Sequence, residues 1–88
     1  VNNVYSIGDA EAEIIEAQVM STSPIAGRRI GEIDFPEGVI VGGMLKERKM
    51  IKPDSNSKIE EGDIIAVFAL SKDISEVERL LQVTIDYF

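Results

Sequence analysis

The chain contains neither cysteine nor histidine. Without cysteine it can build no disulfide framework, run no thiolate catalysis and hold no cysteine-based zinc or iron–sulfur site. Without histidine it lacks the commonest general base and the commonest transition-metal ligand. Most hydrolytic and redox chemistry is thereby excluded, and we read the chain as not an enzyme. Tryptophan is absent and aromatic residues make up only 6%, so the core must be aliphatic. Positive charge is scarce: 9 Lys and Arg stand against 16 Asp and Glu, a net charge of −7. Such a surface repels phosphate backbones and anionic headgroups, which argues against a nucleic-acid polymer as partner. No apolar run approaches the roughly 20 residues that span a bilayer, and no basic-plus-apolar leader opens the chain. Val1 is not methionine, so the chain reads as a fragment or a processed piece, most simply a cytoplasmic module.

What is present fits one small domain. A chain of 88 residues buries roughly 60–65% of its unfolded surface, a marginal core. Its 44% hydrophobic residues are enough to avoid disorder. A small aliphatic core of this kind gains stability from a second copy, so a homodimer is expected.

Residues 1–10, with Asn2, Asn3, Gly8 and Asp9, read as a linker or lead-in from a preceding domain, and 11–88 as the domain itself. From Glu13 to Met20, Ile15, Ala17 and Val19 alternate with Glu16 and Gln18, which argues for a strand, with a helix as the alternative because Ala and Glu favour it. Ala26, Ile30 and Ile33 are spaced by four and three and predict a short amphipathic helical turn. Phe35-Pro36-Glu37-Gly38 forces a turn. Val39–Leu45 reads as a central strand with a bulge at Gly42 and Gly43. Lys46-Glu47-Arg48-Lys49 makes a charged hairpin connection to a short return strand, Met50-Ile51-Lys52, ending at Pro53. After the polar loop 54–57 and a turn at Glu60-Glu61-Gly62-Asp63 comes the most apolar strand, Ile64–Leu70. Asp73-Ile74-Ser75-Glu76 has the D-x-x-E form of a capping box, so a helix begins there. It turns Ile74, Val77 and Leu81 to one face, with Leu80 beside them. The tail from Gln82 to Phe88 continues that helix or forms a strand. The expected fold is α+β: a small antiparallel-rich sheet packed with two helices.

Motifs that carry chemistry are few. Asp54-x-Asn56-x-Lys58 starts like a calcium loop, but the sixth and twelfth positions hold Ile59 and Ile65 where glycine and glutamate are required. The acidic groups Glu11, Glu13, Glu16 and Glu60, Glu61, Asp63 read first as solvated strand edge or linker and as turn, with a low-affinity divalent-cation site as the alternative for the first group. We predict no metal site. Gly38, Gly42 and Gly43 spell no phosphate loop and mark backbone geometry or a close ligand approach along 34–43. Arg28 and Arg29 are the only adjacent arginines, read as a solvated helix face or as guanidinium forks for a phosphate-bearing ligand.

The ordered set of segments carries a further inference. Residues 12–17 (AEIIEA), 25–42 (IAGRRIGEIDFPEGVIVG), 50–53 (MIKP), 59–68 (IEEGDIIAVF) and Val77-Glu78-Arg79-Leu80-Leu81 resemble the RCK C-terminal (TrkA-C) domain family over about residues 11–82. Lys46-Glu47-Arg48-Lys49 departs from that family's arginine–glycine hairpin. The resemblance implies a cytoplasmic regulatory, ligand-sensing and dimerising module of a potassium uptake system, peripheral on the inner face of the membrane. Its implied partners are a membrane potassium transporter subunit and further copies of itself in a ring. It implies no cofactor within this domain, with NAD or ATP held by an N-terminal dinucleotide-binding domain. It also implies a small anionic ligand such as cyclic di-AMP at the segment matching Ile33–Ile40. The corresponding site residues are Arg28, Ile33, Asp34, Phe35, Pro36, Gly38, Val39 and Ile40. Here Phe35-Pro36-Glu37-Gly38 replaces the longer, basic loop of cyclic di-AMP binders. The alternatives are the same domain on another ion carrier, a cation/proton antiporter or an anion transporter, or a purely structural dimerisation module.

Overall fold

The computed structural model describes residues 3–82. Ala12–Gln18 (β2), Val39–Lys46 (β4) and Ile64–Leu70 (β7) form the centre of a five-stranded sheet, flanked by Asn3–Ile7 (β1) and Lys49–Ile51 (β5). The strand order is β1-β2-β7-β4-β5 and every pairing is antiparallel. Alternation in the sequence sets the two faces of β2, whereas β7 is apolar throughout and takes its faces from its pairing with β2. Ile15 and Ala17 of β2 and Ile65, Val67 and Ala69 of β7 are buried together on one side. On β2 a slip of one residue would turn Ile15 and Ala17 outward and Glu16 and Gln18 inward, so that strand disfavours it.

The glycine pair does make a bulge: pairing with β7 steps from Val41↔Val67 to Gly43↔Ala66, leaving Gly42 unpaired. A Cβ on Gly42 would stand 2.3 Å from Cε1 of Phe68, so the ring lies over a residue with no side chain. The β4–β5 hairpin turns at Glu47 and Arg48, both at positive φ (47° and 70°). This is the primed-turn geometry that matches sheet twist.

Among the described residues a single α-helix, Ile74–Leu81 (α1), covers the core face with Ile74, Val77, Leu80 and Leu81. It begins where the D-x-x-E pattern indicated, but without the expected cap: Asp73 makes no side-chain capping bond and turns to Lys72 at 3.3 Å. At the other end Gln82 enters the left-handed region (φ 57°), and its N–H reaches the Glu78 carbonyl. The buried Ser23 hydroxyl donates to the Leu80 carbonyl at 2.6 Å, satisfying a helix-end acceptor.

Two expectations are corrected. The second helix is a single 3-10 turn, Ile30–Glu32, preceded by a two-residue strand, Arg28–Arg29 (β3), which pairs with Lys58–Ile59 (β6). A helix cannot propagate there. The Ile30 and Gly31 N–H groups donate to the Ser57 and Ser55 carbonyls, at 2.9 and 2.8 Å, and not along the chain. The arginines are therefore on a strand, not on a helix face. The second correction concerns the lead-in: Asn3–Ile7 are an edge strand of the sheet, in register with Ala12–Glu16. The strand was hidden because Asn3 and Ser6 interrupt its apolar pattern. The tail beyond Gln82 lies outside the described residues.

Opposite α1, nothing among the described residues covers the sheet. Tyr5, Ile7, Ile40, Phe68, Leu70 and Met50 are all exposed, from 39% to 77%. No helix among the described residues is long and apolar enough to cross a membrane.

Candidate functional site

The 3-10 turn, the segment after it and the loop before β6 meet at one end of β4. The Ile33 N–H donates to the Ile30 carbonyl at 3.1 Å, and the Phe35 N–H to the Ile33 carbonyl at 3.0 Å. Pro36 and Val39 close the next turn through a 3.0 Å bond from the Val39 N–H. The 54–57 loop is held by its own polar side chains: Asp54 Oδ1 accepts the Asn56 N–H at 2.8 Å, and Ser57 Oγ accepts the Asp54 N–H at 3.0 Å. It docks against Gly31, where a Cβ would stand 2.9 Å from the Ser55 carbonyl oxygen, a space only glycine leaves.

These segments enclose an open groove of about 280 Å³, lined by Ile30, Phe35, Val39, Ile40, Val41, Pro53, Asp54 and Ser55. Of the eight residues expected from sequence, Phe35, Val39 and Ile40 line it. Ile33 is buried in the core at 8% exposure. Pro36 and Gly38 shape the turn at its rim, and Asp34 is exposed beside it. Arg28 does not reach the groove: its guanidinium is returned to the Glu32 carbonyl at 2.6 Å. The lining is apolar apart from Asp54 and Ser55, and no cation is among it. Sequence reasoning missed Ile30 and the Pro53–Ser55 corner, and reached Val41 only as part of the 34–43 segment. The usable signal was Gly31, a close-approach glycine followed by a polar, turn-rich stretch able to fold back on it.

A second, wider and more polar hollow of about 550 Å³ lies at the other end of β4, among Lys46, Glu47, Lys49, Ile51 and Glu60–Asp63. Lys46 pairs there with Glu60 at 3.1 Å and with Asp63, whose side chain is 9% exposed. Asp63 also accepts the Glu60 N–H at 2.9 Å. Burial works against the Lys46 ammonium, but its hydrogen bonds to Asp63 and Glu60 and their charges outweigh it, so its pKa is raised. The cation is thus spent on the fold, tying β4 to the turn before β7. Outside both hollows, Arg79 on α1 holds the Glu76 carboxyl below its ordinary pKa by hydrogen bonding.

The acidic group near the start does not form a solvated edge throughout. Glu13 is only 3% exposed, on the core side between Ser6 and Ala69, and its Oε2 has no hydrogen-bond partner among the described residues. Among those residues no group of three or more acidic side chains is placed to hold a metal ion.

Comparison with known proteins places this geometry. A family model described as the TrkA-C domain matches residues 14–82. The Trk system potassium uptake protein TrkA of Azorhizobium caulinodans is 32% identical over 88 residues, all of this chain and 19% of that protein. The protein of the same name from Haemophilus influenzae is 40% identical over 86 residues, 93% of this chain and 19% of that protein. The chain therefore spans about a fifth of the length of these curated relatives. Among solved structures, one described as the GsuK RCK domain superposes with a TM-score of 0.72 at 19% identity, over 97% of this chain and 19% of that one. Another, described as an RCK domain with cda, gives 0.66 at 16% identity, over 77% of this chain and 96% of that one.

Proposed function

The chain belongs to the TrkA-C domain family, and on that footing we propose that it is a cytoplasmic, self-associating regulatory module of a potassium uptake system. In this reading it senses a small ligand in the Phe35–Ile40 groove and passes the result to a membrane potassium transporter. The observation that supports it is the groove itself. Its volume of about 280 Å³ falls just below the roughly 300–1,000 Å³ of complete small-molecule pockets. Its wall continues into exposed Ile40 on the open sheet face. It is a half-site, which a second copy or the rest of a longer protein completes around the ligand.

The lining favours a planar, largely apolar group over a bare anion. Phe35 and Pro53 offer flat surfaces and Ser55 a hydroxyl, while Asp54 repels phosphate. A nucleobase of a cyclic dinucleotide suits this wall, provided that the partner surface supplies the cations for its phosphates. NAD or ATP belongs to a separate dinucleotide-binding domain. Ligand binding would regulate by favouring one arrangement of paired modules, and it can shift the equilibrium only by its differential affinity for the two arrangements.

Calorimetric titration with cyclic di-AMP, ATP and NADH, with light scattering in parallel, tests this reading. Saturable binding that Phe35→Ala weakens at least about tenfold, a loss of ~1.4 kcal/mol, is the expected result. No binding by an assembled chain would leave only an assembly module and overturn the sensing role.

A further inference from the structure

One edge of the main sheet is protected and the other is not. Strand β5 offers three residues, carries Lys49 and runs into Lys52 and Pro53. Brevity, lysine and proline are what keep an edge from pairing with another chain. Strand β1 has none of these. Asn3-Val4-Tyr5-Ser6-Ile7 is five residues long, without charge or proline, and pairs with β2 in unbroken register. Among the described residues its other side meets no strand. In a chain of net charge −7, this uncharged strip lets two copies meet without opposing charges within the strand. The neighbouring outer-face acid, Glu16, is engaged by the Asn3 amide at 2.9 Å. The side chains that β1 turns to the outer face, Tyr5 and Ile7, are 54% and 41% exposed.

We infer that β1 is a self-association edge: two copies pair β1 antiparallel to β1 about a two-fold axis at Tyr5, joining two five-stranded sheets into one. The contact is isologous, so the same strip serves both copies. Tyr5 then faces Tyr5, Asn3 faces Ile7 and Val4 faces Ser6, with no like charges opposed. Both open apolar faces come to lie on the same side of the joined sheet. The inference rests on the self-associating reading above and adds a contact to it. Strand β1 lies three strands from β4, about 14 Å at ~4.8 Å per strand. Pairing there leaves the Phe35–Ile40 groove free for a different neighbour. A module with two separate contacts builds assemblies larger than a dimer, which one two-fold contact cannot.

Because the chain has no cysteine, single-cysteine variants report the register directly. Facing residues of an antiparallel pair stand about 4.5–5.5 Å apart at Cα, within the roughly 4.4–6.8 Å a disulfide spans. Two copies of Ile7 would be about 14 Å apart along the strands, at ~3.4 Å per residue. Under mild oxidation Tyr5→Cys is expected to give a covalent dimer about tenfold faster than Ile7→Cys or Met50→Cys, whose thiols lie beyond bridging distance. Tyr5→Lys, which opposes two ammonium groups at the axis, should halve the mass found by light scattering while the far-ultraviolet dichroism stays unchanged. Equal crosslinking of the three cysteine variants, or an unchanged mass for Tyr5→Lys, overturns the β1 contact. The ligand titration decides the sensing role separately. A wild-type chain that stays monomeric at high concentration overturns both the contact and the self-associating reading.

Discussion

Asp63→Ala removes the acid through which two parts of the sheet are tied. Its carboxylate accepts from Lys46 on β4 and from the Glu60 N–H in the turn before β7. A hydrogen bond to a charged group contributes about 1.5–3 kcal/mol net, and breaking a fully buried ion pair costs about 3–5 kcal/mol. Lys46 is 22% exposed and keeps Glu60 at 3.1 Å, so its side of the loss is softened by water and by the second acid. The expected cost is therefore near the lower bound, about 2 kcal/mol. For a domain of this size that lowers Tm by about 8–16 °C, at roughly 4–8 °C per kcal/mol. Asp63→Asn, which keeps an acceptor for the Glu60 N–H, should cost about half as much. Urea unfolding of the wild type, Asp63→Ala, Lys46→Met and the double variant measures the coupling directly. We expect at least ~1 kcal/mol of interaction between the two sites. Losses that simply add, to within about 0.3 kcal/mol, would refute the pairing as the source of the stability.

The same pair sets a pH dependence. The folded chain holds the Lys46 proton more tightly than the ordinary lysine value of 10.5. Its contribution is complete below that pH and is lost as pH rises through the folded pKa. Urea midpoints should fall more steeply above about pH 10.5 in the wild type than in Lys46→Met. Gly42→Ala places a methyl 2.3 Å from the Phe68 ring. It should displace the ring and cost about 1–3 kcal/mol, visible as shifted Phe68 ring resonances and a lower midpoint. Ser23→Ala orphans the Leu80 carbonyl at the end of α1. A loss of about 1–2 kcal/mol is expected in thermal unfolding, with faster amide exchange over residues 78–82.

Much of the fold was legible because local physics decides it. Period-two patterning around 12–18 points to a strand with one buried face, and the apolar run 64–70 to a central strand, though which of its faces is buried came only from its pairing with β2. Paired glycines after three β-branched residues call for a bulge, and Ile74, Val77 and Leu81 sit on one side of any helix. The capping box was not: Asp73 turns to its neighbour Lys72 and lies against the Gly38 corner, and the second of these is a contact only the tertiary structure makes. The second helix failed for a related reason. The spacing of Ala26, Ile30 and Ile33 is helical, yet the backbone donors of Ile30 and Gly31 are claimed by a loop more than twenty residues away. Glu13 looked like a solvated acid because its partners in the sheet, Ser6 and Ala69, are 7 and 56 positions distant.

By itself the sequence determined the class of the protein: an acidic, cysteine-free and histidine-free α+β module with an aliphatic core, of a family whose segments recur in order along 11–82. Composition and periodicity carry that information because burial of an aliphatic residue depends on its own type and its near neighbours. Tertiary structure alone decided where the hollows and open edges lie. It folded the Pro53–Ser55 corner onto the Phe35–Ile40 segment to make a groove and turned Arg28 away from it. It tied Lys46 to Asp63 and, among the described residues, left the outer side of β1 without a strand. Each of these depends on which distant strand lies alongside, and pairing between strands far apart in the chain is written in no local pattern.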